Sequence, residues 1–272
     1  MPPRMSMMSA GDQRSNLLTV SFEVPPDAYT RFMGRYSEPL GAVFADAAGV
    51  SEGQRVLDVG CGPGALTGHL VACVGVDHVC AVDPSLSFVD ATSRRFPGID
   101  VRTAVAEDLP FETDVFDVTL AQLVVHFMTD ADRGVAEMAR VTRSGGTVAA
   151  CVWDLGPNER GPISLLWRVV RELDPDAQDE SQLAGVREDQ LVRLFADAGL
   201  EDIESSELTV RVRYESFDEW WEPNTYGIGP AGIYVAGLSP ERRNALRERC
   251  AAVLPVAPFD LEATAWCAVA RV

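Results

Sequence analysis

The segment Val56-Leu57-Asp58-Val59-Gly60-Cys61-Gly62-Pro63-Gly64 constrains this chain more than any other. A short apolar run of strand type leads straight into a glycine loop, and a helical pattern opens at Ala65. Glycine lets backbone approach a ligand closely, and the first turn of a helix offers N–H groups that have no partner within the helix. The segment therefore predicts a strand–loop–helix unit with a small ligand at the strand's C-terminal end.

Two ligand chemistries compete for that loop. Residues 60–65 satisfy the loose dinucleotide pattern G-x-G-x-x-G/A, which is weak evidence on its own. Asp58, two residues before Gly60, argues for the other. Its carboxylate suits a cationic group such as the α-amino group of a methionine moiety, and it would repel a pyrophosphate. Pro63 and Gly64 also remove or reshape N–H donors where phosphate would need them. Asp83, in Ala81-Val82-Asp83-Pro84-Ser85, ends the next predicted strand, where a carboxylate accepts hydrogen bonds from a ribose diol in either fold. Its bland alternative is an N-cap for a helix starting near Ser85.

The order of elements fits that unit. Apolar runs at Arg55–Val59, His78–Val82, Asp100–Ala104, Phe116–Ala121 and Gly146–Trp153 alternate with helical patterns near Ala65–Val74, Ser85–Phe96 and Asp130–Val141. Such alternation predicts an α/β parallel sheet with helices on both faces. Helical spacing recurs over Pro162–Leu173 and Glu188–Ala198, and Leu208–Tyr214 and Thr264–Val272 alternate like strands. Between these last two, residues 217–262 form a late, lid-like insert rich in Trp, Tyr, Gly and Pro, with a helix near Pro240–Val253. Residues 26–50 predict one or two helices ahead of a cofactor-binding core at 55–153. Residues 1–25 read as a disordered leader, without the apolar stretch of a secretory signal, and residues 26–272 as a single domain.

Composition narrows the chemistry. The net charge of −18 opposes nucleic acid and acidic membrane surfaces. No apolar run reaches the roughly 18 residues of a membrane-spanning helix. All 23 cationic residues are arginine. Without lysine there is no Schiff-base chemistry and no Walker A loop. Cys61, Cys73, Cys80, Cys151, Cys250 and Cys267 show no CxxC pairing, and His69, His78 and His126 no ligand spacing, so no metal is predicted. A reduced, cytoplasmic protein is the natural expectation.

Four motifs taken together resemble a known family. Val56–Gly64, Ala81–Ser85, Ala106-Glu107-Asp108-Leu109-Pro110-Phe111 and Val141-Thr142-Arg143-Ser144-Gly145-Gly146 resemble the class I S-adenosylmethionine-dependent methyltransferases. The branch they resemble most contains the quinone-biosynthesis C-methyltransferases and many small-molecule enzymes. The resemblance runs from about Tyr29 to Arg213. It implies a Rossmann-like, seven-stranded, mostly parallel sheet with helices on both faces and an antiparallel last strand.

It also implies S-adenosyl-L-methionine as cofactor. Asp58, Gly60, Cys61 and Gly62 would hold its methionine end, Asp83 and Pro84 its ribose, and Glu107, Asp108 and Leu109 its adenine. Val105 departs from the family, which often carries an acidic residue there. The segment Tyr29–Ser37, with Tyr29 and Met33, is similar to the helix that closes over the cofactor.

The loop after the fourth predicted strand, with Gln122 and His126, would face the transferred methyl, because ligands of open parallel sheets bind outside the strand C-termini. His126 is the candidate general base, against the bland reading of a packing histidine. Trp153, Trp221, Tyr226 and Tyr234 are candidates for an apolar substrate pocket, against a plain core role. The expected partner is a small-molecule methyl acceptor, methylated on O, N or C, with the chain a monomer or homodimer. Two rivals remain at this stage: a non-catalytic S-adenosylmethionine-binding protein and a nicotinamide-dependent oxidoreductase.

Overall fold

The structure, a computed structural model, describes residues 25–272. Most of the predicted leader lies outside the described residues. The chain then enters α1 (Pro26–Tyr29), passes a π-helical turn at Thr30–Gly34 and continues as α2 (Arg35–Ala47). Seven strands follow: β1 (Val56–Val59), β2 (Val79–Asp83), β3 (Asp100–Thr103), β4 (Phe116–Gln122), β5 (Thr142–Trp153), β6 (Glu201–Tyr214) and β7 (Phe259–Arg271). Between them run α3 (Ala65–Val74), α4 (Leu86–Arg95), α5 (Ala131–Val141), α6 (Ser164–Leu173) and α7 (Gln190–Asp197). The segment joining β6 to β7 carries α8 (Phe217–Trp221), α9 (Gly229–Gly237) and α10 (Pro240–Val253).

The sheet order is β3-β2-β1-β4-β5-β7-β6, with β7 antiparallel to both neighbours and the other pairings parallel. This is the mostly parallel sheet that the sequence predicts. Strand residues divide by alternation between the two faces. Val56, Val118, Leu120, Ala149 and Cys151 join Leu40 and Phe44 of α2, Leu66 and Leu70 of α3 and Leu166 of α6. Leu57, Val59, Phe116, Ala121, Val148 and Ala150 join Val135 and Met138 of α5 and Phe195 of α7. Cover on both faces is why the inner strands read as unbroken apolar runs.

Three boundaries differ from expectation. β6 begins seven residues before Leu208, because Glu201–Glu207 is an exposed, charged edge that lacks apolar alternation. β7 begins at Phe259, so the last residues assigned to the insert pair with Arg211–Tyr214 instead. β5 begins at Thr142 rather than Gly146, and its register against β4 jumps between the Phe116–Thr142 and Val118–Thr147 pairs. Gly145 takes a φ of 73° there, which accommodates the bulge.

The strand order reverses at β1, between β2 on one side and β4 on the other. In open α/β sheets the crevice at this switch point receives ligands. The insert is tied into the protein rather than hanging over it: Trp220, Trp221, Val235, Leu246 and Cys250 share the core of β6, β7 and α6.

Candidate active site

The glycine loop is fixed by its neighbours' backbone. Gly60 N and Cys61 N both donate to Val82 O, at 2.8 and 2.9 Å. Asp83 Oδ2 accepts from Gly62 N and Oδ1 from Ser85 N, each at 2.8 Å. Thr92 Oγ1 of α4 donates to Gly62 O at 2.7 Å. Gly60 sits at φ 72°, and a Cβ there would stand 2.5 Å from Val124 Cγ2, so only glycine fits. At Gly62 a Cβ would meet nothing within 4 Å. The loop is therefore packed below Gly60 and open beside Gly62. Asp83 thus holds both the turn into α4 and the glycine loop through its own carboxylate.

Asp58 is buried at the end of β1, and Thr67 Oγ1 donates to its Oδ2 at 2.6 Å. Burial pushes its carboxyl up to about 7, against the hydrogen bond from Thr67 and reinforced by the charge of Asp83. Burial also raises Asp83, to about 6, against the backbone N–H groups of Ser85 and Gly62. A cationic group placed against Asp58 would favour its ionised form again, and a pyrophosphate would do the opposite. The donor set therefore fits an amino-acid end and a diol better than it fits phosphate.

The N-terminal helices cross the strand ends above these acids. The Tyr29 ring packs edge-on against Phe88 of α4, with centroids 5.3 Å apart. Burial and the nearby charge of Asp83 raise the Tyr29 phenol. Trp153 Nε1 at the end of β5 donates to Met33 Sδ at 3.3 Å. Gln122 Nε2 donates to Ser37 O at 2.9 Å, while Gln122 Oε1 and Ser37 Oγ are buried without a hydrogen-bond partner among the described residues.

Beyond Gln122 the chain turns at Leu123, whose φ of 61° is strained for a β-carbon residue. That turn feeds the wall of a small, mainly apolar cavity of about 40 Å³ that is partly open to solvent. Tyr29, Met33, His126 and Trp153, all named from sequence, line it together. Trp221, Tyr226 and Tyr234 do not. Trp221 stacks on Phe217 within the core. Tyr226 is exposed, and Tyr234 packs on Trp167 and donates to Asp174 Oδ2 at 3.0 Å. Sequence reasoning missed Phe32, Leu123, Ile163, Ile228 and Glu180, which reach the cavity from separate segments.

His126 is buried, with Nδ1 unpartnered among the described residues. Burial lowers it to about 3, so the ring is a neutral acceptor and a weaker base than a free histidine. In the third motif, Glu107 Oε1 accepts from Thr129 N and Asp130 N, at 2.7 and 3.1 Å. Leu109 is buried in the core, Asp108 is exposed and so is Pro84. Glu107 thus braces the loop between β4 and α5. Among the described residues, no group of three or more His, Cys, Asp and Glu side chains could hold a metal ion. None of their helices is long and apolar enough to cross a membrane.

Fold and site together define a Rossmann-like protein with an acid-flanked glycine loop at the switch point of its sheet. Comparison with known proteins specifies the type. A family model described as a methyltransferase domain matches residues 57–150. The demethylmenaquinone methyltransferase of Renibacterium salmoninarum is 32% identical over 170 residues, covering 58% of this chain and 71% of the relative. That of Paenarthrobacter aurescens is 31% identical over 179 residues, covering 59% and 68%. A Haemonchus contortus phosphoethanolamine N-methyltransferase, solved with phosphomonomethylethanolamine and S-adenosylhomocysteine, shares the fold at TM-score 0.58 and 17% identity, covering 93% of this chain and 59% of that one. The chain belongs to the class I S-adenosylmethionine-dependent methyltransferases.

Proposed function

We propose that this enzyme methylates a small, largely apolar acceptor held in the cavity beside His126 and Trp153. The observation that carries the reading is the contiguity of two unlike regions: buried carboxylates and an open glycine loop on one side of Leu123, and an apolar cavity on the other. S-adenosylmethionine, when bound, supplies an electrophilic methyl group on a sulfonium. Asp58 holds the cofactor's ammonium, Gly60, Cys61 and Gly62 present backbone to its methionine end, and Asp83 takes the ribose diol. Tyr29 and Met33 close over it, and Gln122 offers its free Oε1. The third motif contributes Asp108 and the backbone around Leu109 to the adenine.

The rest of the site positions the acceptor and excludes water, which is most of what methyl transfer from a sulfonium requires. His126, neutral and with Nδ1 unpartnered among the described residues, lines the acceptor's cavity and helps to orient it. The relatives named as demethylmenaquinone methyltransferases support a flat apolar ring, and so does the aliphatic and aromatic wall. Isothermal titration calorimetry with S-adenosylhomocysteine, followed by mass-spectrometric assay of its formation with a panel of ring acceptors, tests the reading. Binding without turnover on any acceptor would leave a non-catalytic binding protein, and tight NAD binding would restore the dinucleotide reading.

A further inference from the structure

Among the described residues, Glu180 is the one carboxyl on the wall of the apolar cavity, and it also lines a second, polar cleft. It belongs to the connection between α6 and α7. It is buried, with Trp167 Nε1 donating to its Oε2 at 2.5 Å, and no described residue donates to Oε1. The charged and titratable groups around it are Asp179 on its own loop, Glu159, Arg171 and Arg187 in the cleft, and His126 and Tyr29 along the cavity. Arg171 is already taken by ion pairs to Asp179 and Glu159. Glu180 therefore stands between an apolar chamber and a polar exit, without a cation of its own. A buried carboxyl in such a place needs a partner that brings a proton.

Resting on the methyltransferase reading, we infer that Glu180 binds the hydroxyl of an apolar acceptor and takes its proton as the oxygen is methylated. The acceptor's O–H bond breaks and its proton passes to Glu180. The oxygen forms the new bond to the methyl carbon, and the sulfonium sulfur keeps the electron pair of its broken bond to that carbon. The proton then leaves through the polar cleft. Burial, opposed by the Trp167 hydrogen bond and reinforced by Asp179, raises the Glu180 carboxyl to about 8, close to working pH and so suited to the task. His126, lowered by burial, is the poorer proton acceptor of the two. The acceptor class is thus a phenol or enol on an apolar ring.

The test compares 2-naphthol with naphthalene as probes, by calorimetry at pH 9 on the full chain saturated with S-adenosylhomocysteine. Wild type should bind 2-naphthol at least tenfold more tightly. Glu180→Gln, which can still accept from Trp167, should lose that preference while binding S-adenosylhomocysteine unchanged, with its fold checked by circular dichroism. With S-adenosylmethionine, single-turnover methylation of 2-naphthol should rise with pH through a midpoint near 8 in wild type and lose that midpoint in Glu180→Gln. Equal binding of the two probes, no binding of either, or a preference that survives the substitution would overturn the inference. Failure of wild type to bind S-adenosylhomocysteine would instead sink the cofactor reading beneath it.

Discussion

Replacing Asp58 by Asn should stabilise the protein and disable it. The side chains are nearly isosteric, and the hydrogen bond from Thr67 survives on the amide oxygen. What changes is the cost of a buried charge. A carboxyl moved from 3.8 to about 7 by folding costs about 4 kcal/mol of stability once both states are ionised, at roughly 1.4 kcal/mol per decade of proton affinity. Because the folded value is raised, no penalty exists below pH 3.8. It grows as pH rises, reaches about 2 kcal/mol near pH 5.5, and saturates above about 7. Urea unfolding of the ligand-free protein should therefore show Asp58→Asn more stable than wild type by several kcal/mol at pH 8 and indistinguishable from it near pH 3.8. The same substitution removes a charge-assisted bond worth about 1.5–3 kcal/mol to the cofactor's ammonium, so S-adenosylhomocysteine should bind about tenfold to a hundredfold more weakly. A variant less stable than wild type at pH 8, or one that keeps wild-type affinity, would refute the assignment of Asp58 as a strained carboxylate awaiting a cation.

Gly60→Ala forces a β-carbon to 2.5 Å from Val124 at a left-handed φ; it should cost about 2 kcal/mol in a thermal melt and weaken cofactor binding through the displaced loop. Arg160 donates to buried Asp154 at 2.8 Å and also to exposed Glu207. Arg160→Gln should cost about 3 kcal/mol by stranding Asp154, whereas Glu207→Gln should leave stability close to wild type, both read by urea unfolding. His126 is lowered from 6.5 to about 3 by burial. Its contribution to stability is present above pH 6.5 and is lost as pH falls towards 3. His126→Gln should thus gain on wild type below pH 6.5 by about 1.4 kcal/mol per pH unit, and wild-type rate profiles should lack an inflection near 6.5.

The cofactor half was legible because its chemistry is written contiguously. Asp58, the three glycines and Asp83 all lie at or just beyond strand ends, and the residues that would be wrong there are excluded by charge or by φ. The parallel sheet with helices on both faces followed from alternation, and its seven strands with an antiparallel last one from the family resemblance of the four motifs. The acceptor half was not legible for a geometric reason. Phe32, Leu123, Ile163, Glu180 and Ile228 come from five segments that only the fold brings together, and none carries a local signature. Among the aromatic residues, composition could not separate Trp153, which faces the cavity, from Trp221, which faces the core. His126 lines the cavity from the loop after β4, but burial, which decides its proton affinity, is invisible in spacing. Glu180 was overlooked because an isolated acid in a loop rich in Asp and Glu reads as solvent-facing.

The division between the two halves has a physical consequence. The matched family region, residues 57–150, ends within β5, just short of Trp153. Within it, the loop is held by Val82 O, Asp83 and Thr92, which are backbone and side-chain contacts that any acceptor leaves untouched. Leu123, His126 and Phe127 line the cavity from within that region, and the rest of the wall comes from outside it: α1 and the π-helical turn, the end of β5 and the loop beyond it, the connection between α6 and α7, and the start of α9. The π-helical turn carries Phe32 and Met33, and α9 begins with Gly229 at φ 63°. These are irregular elements docked on a rigid sheet, where sequence can change at little cost to the core. Methyl donation can therefore stay constant while the acceptor changes, because the strand ends fix where the methyl group is presented and the peripheral segments fix what is presented to it.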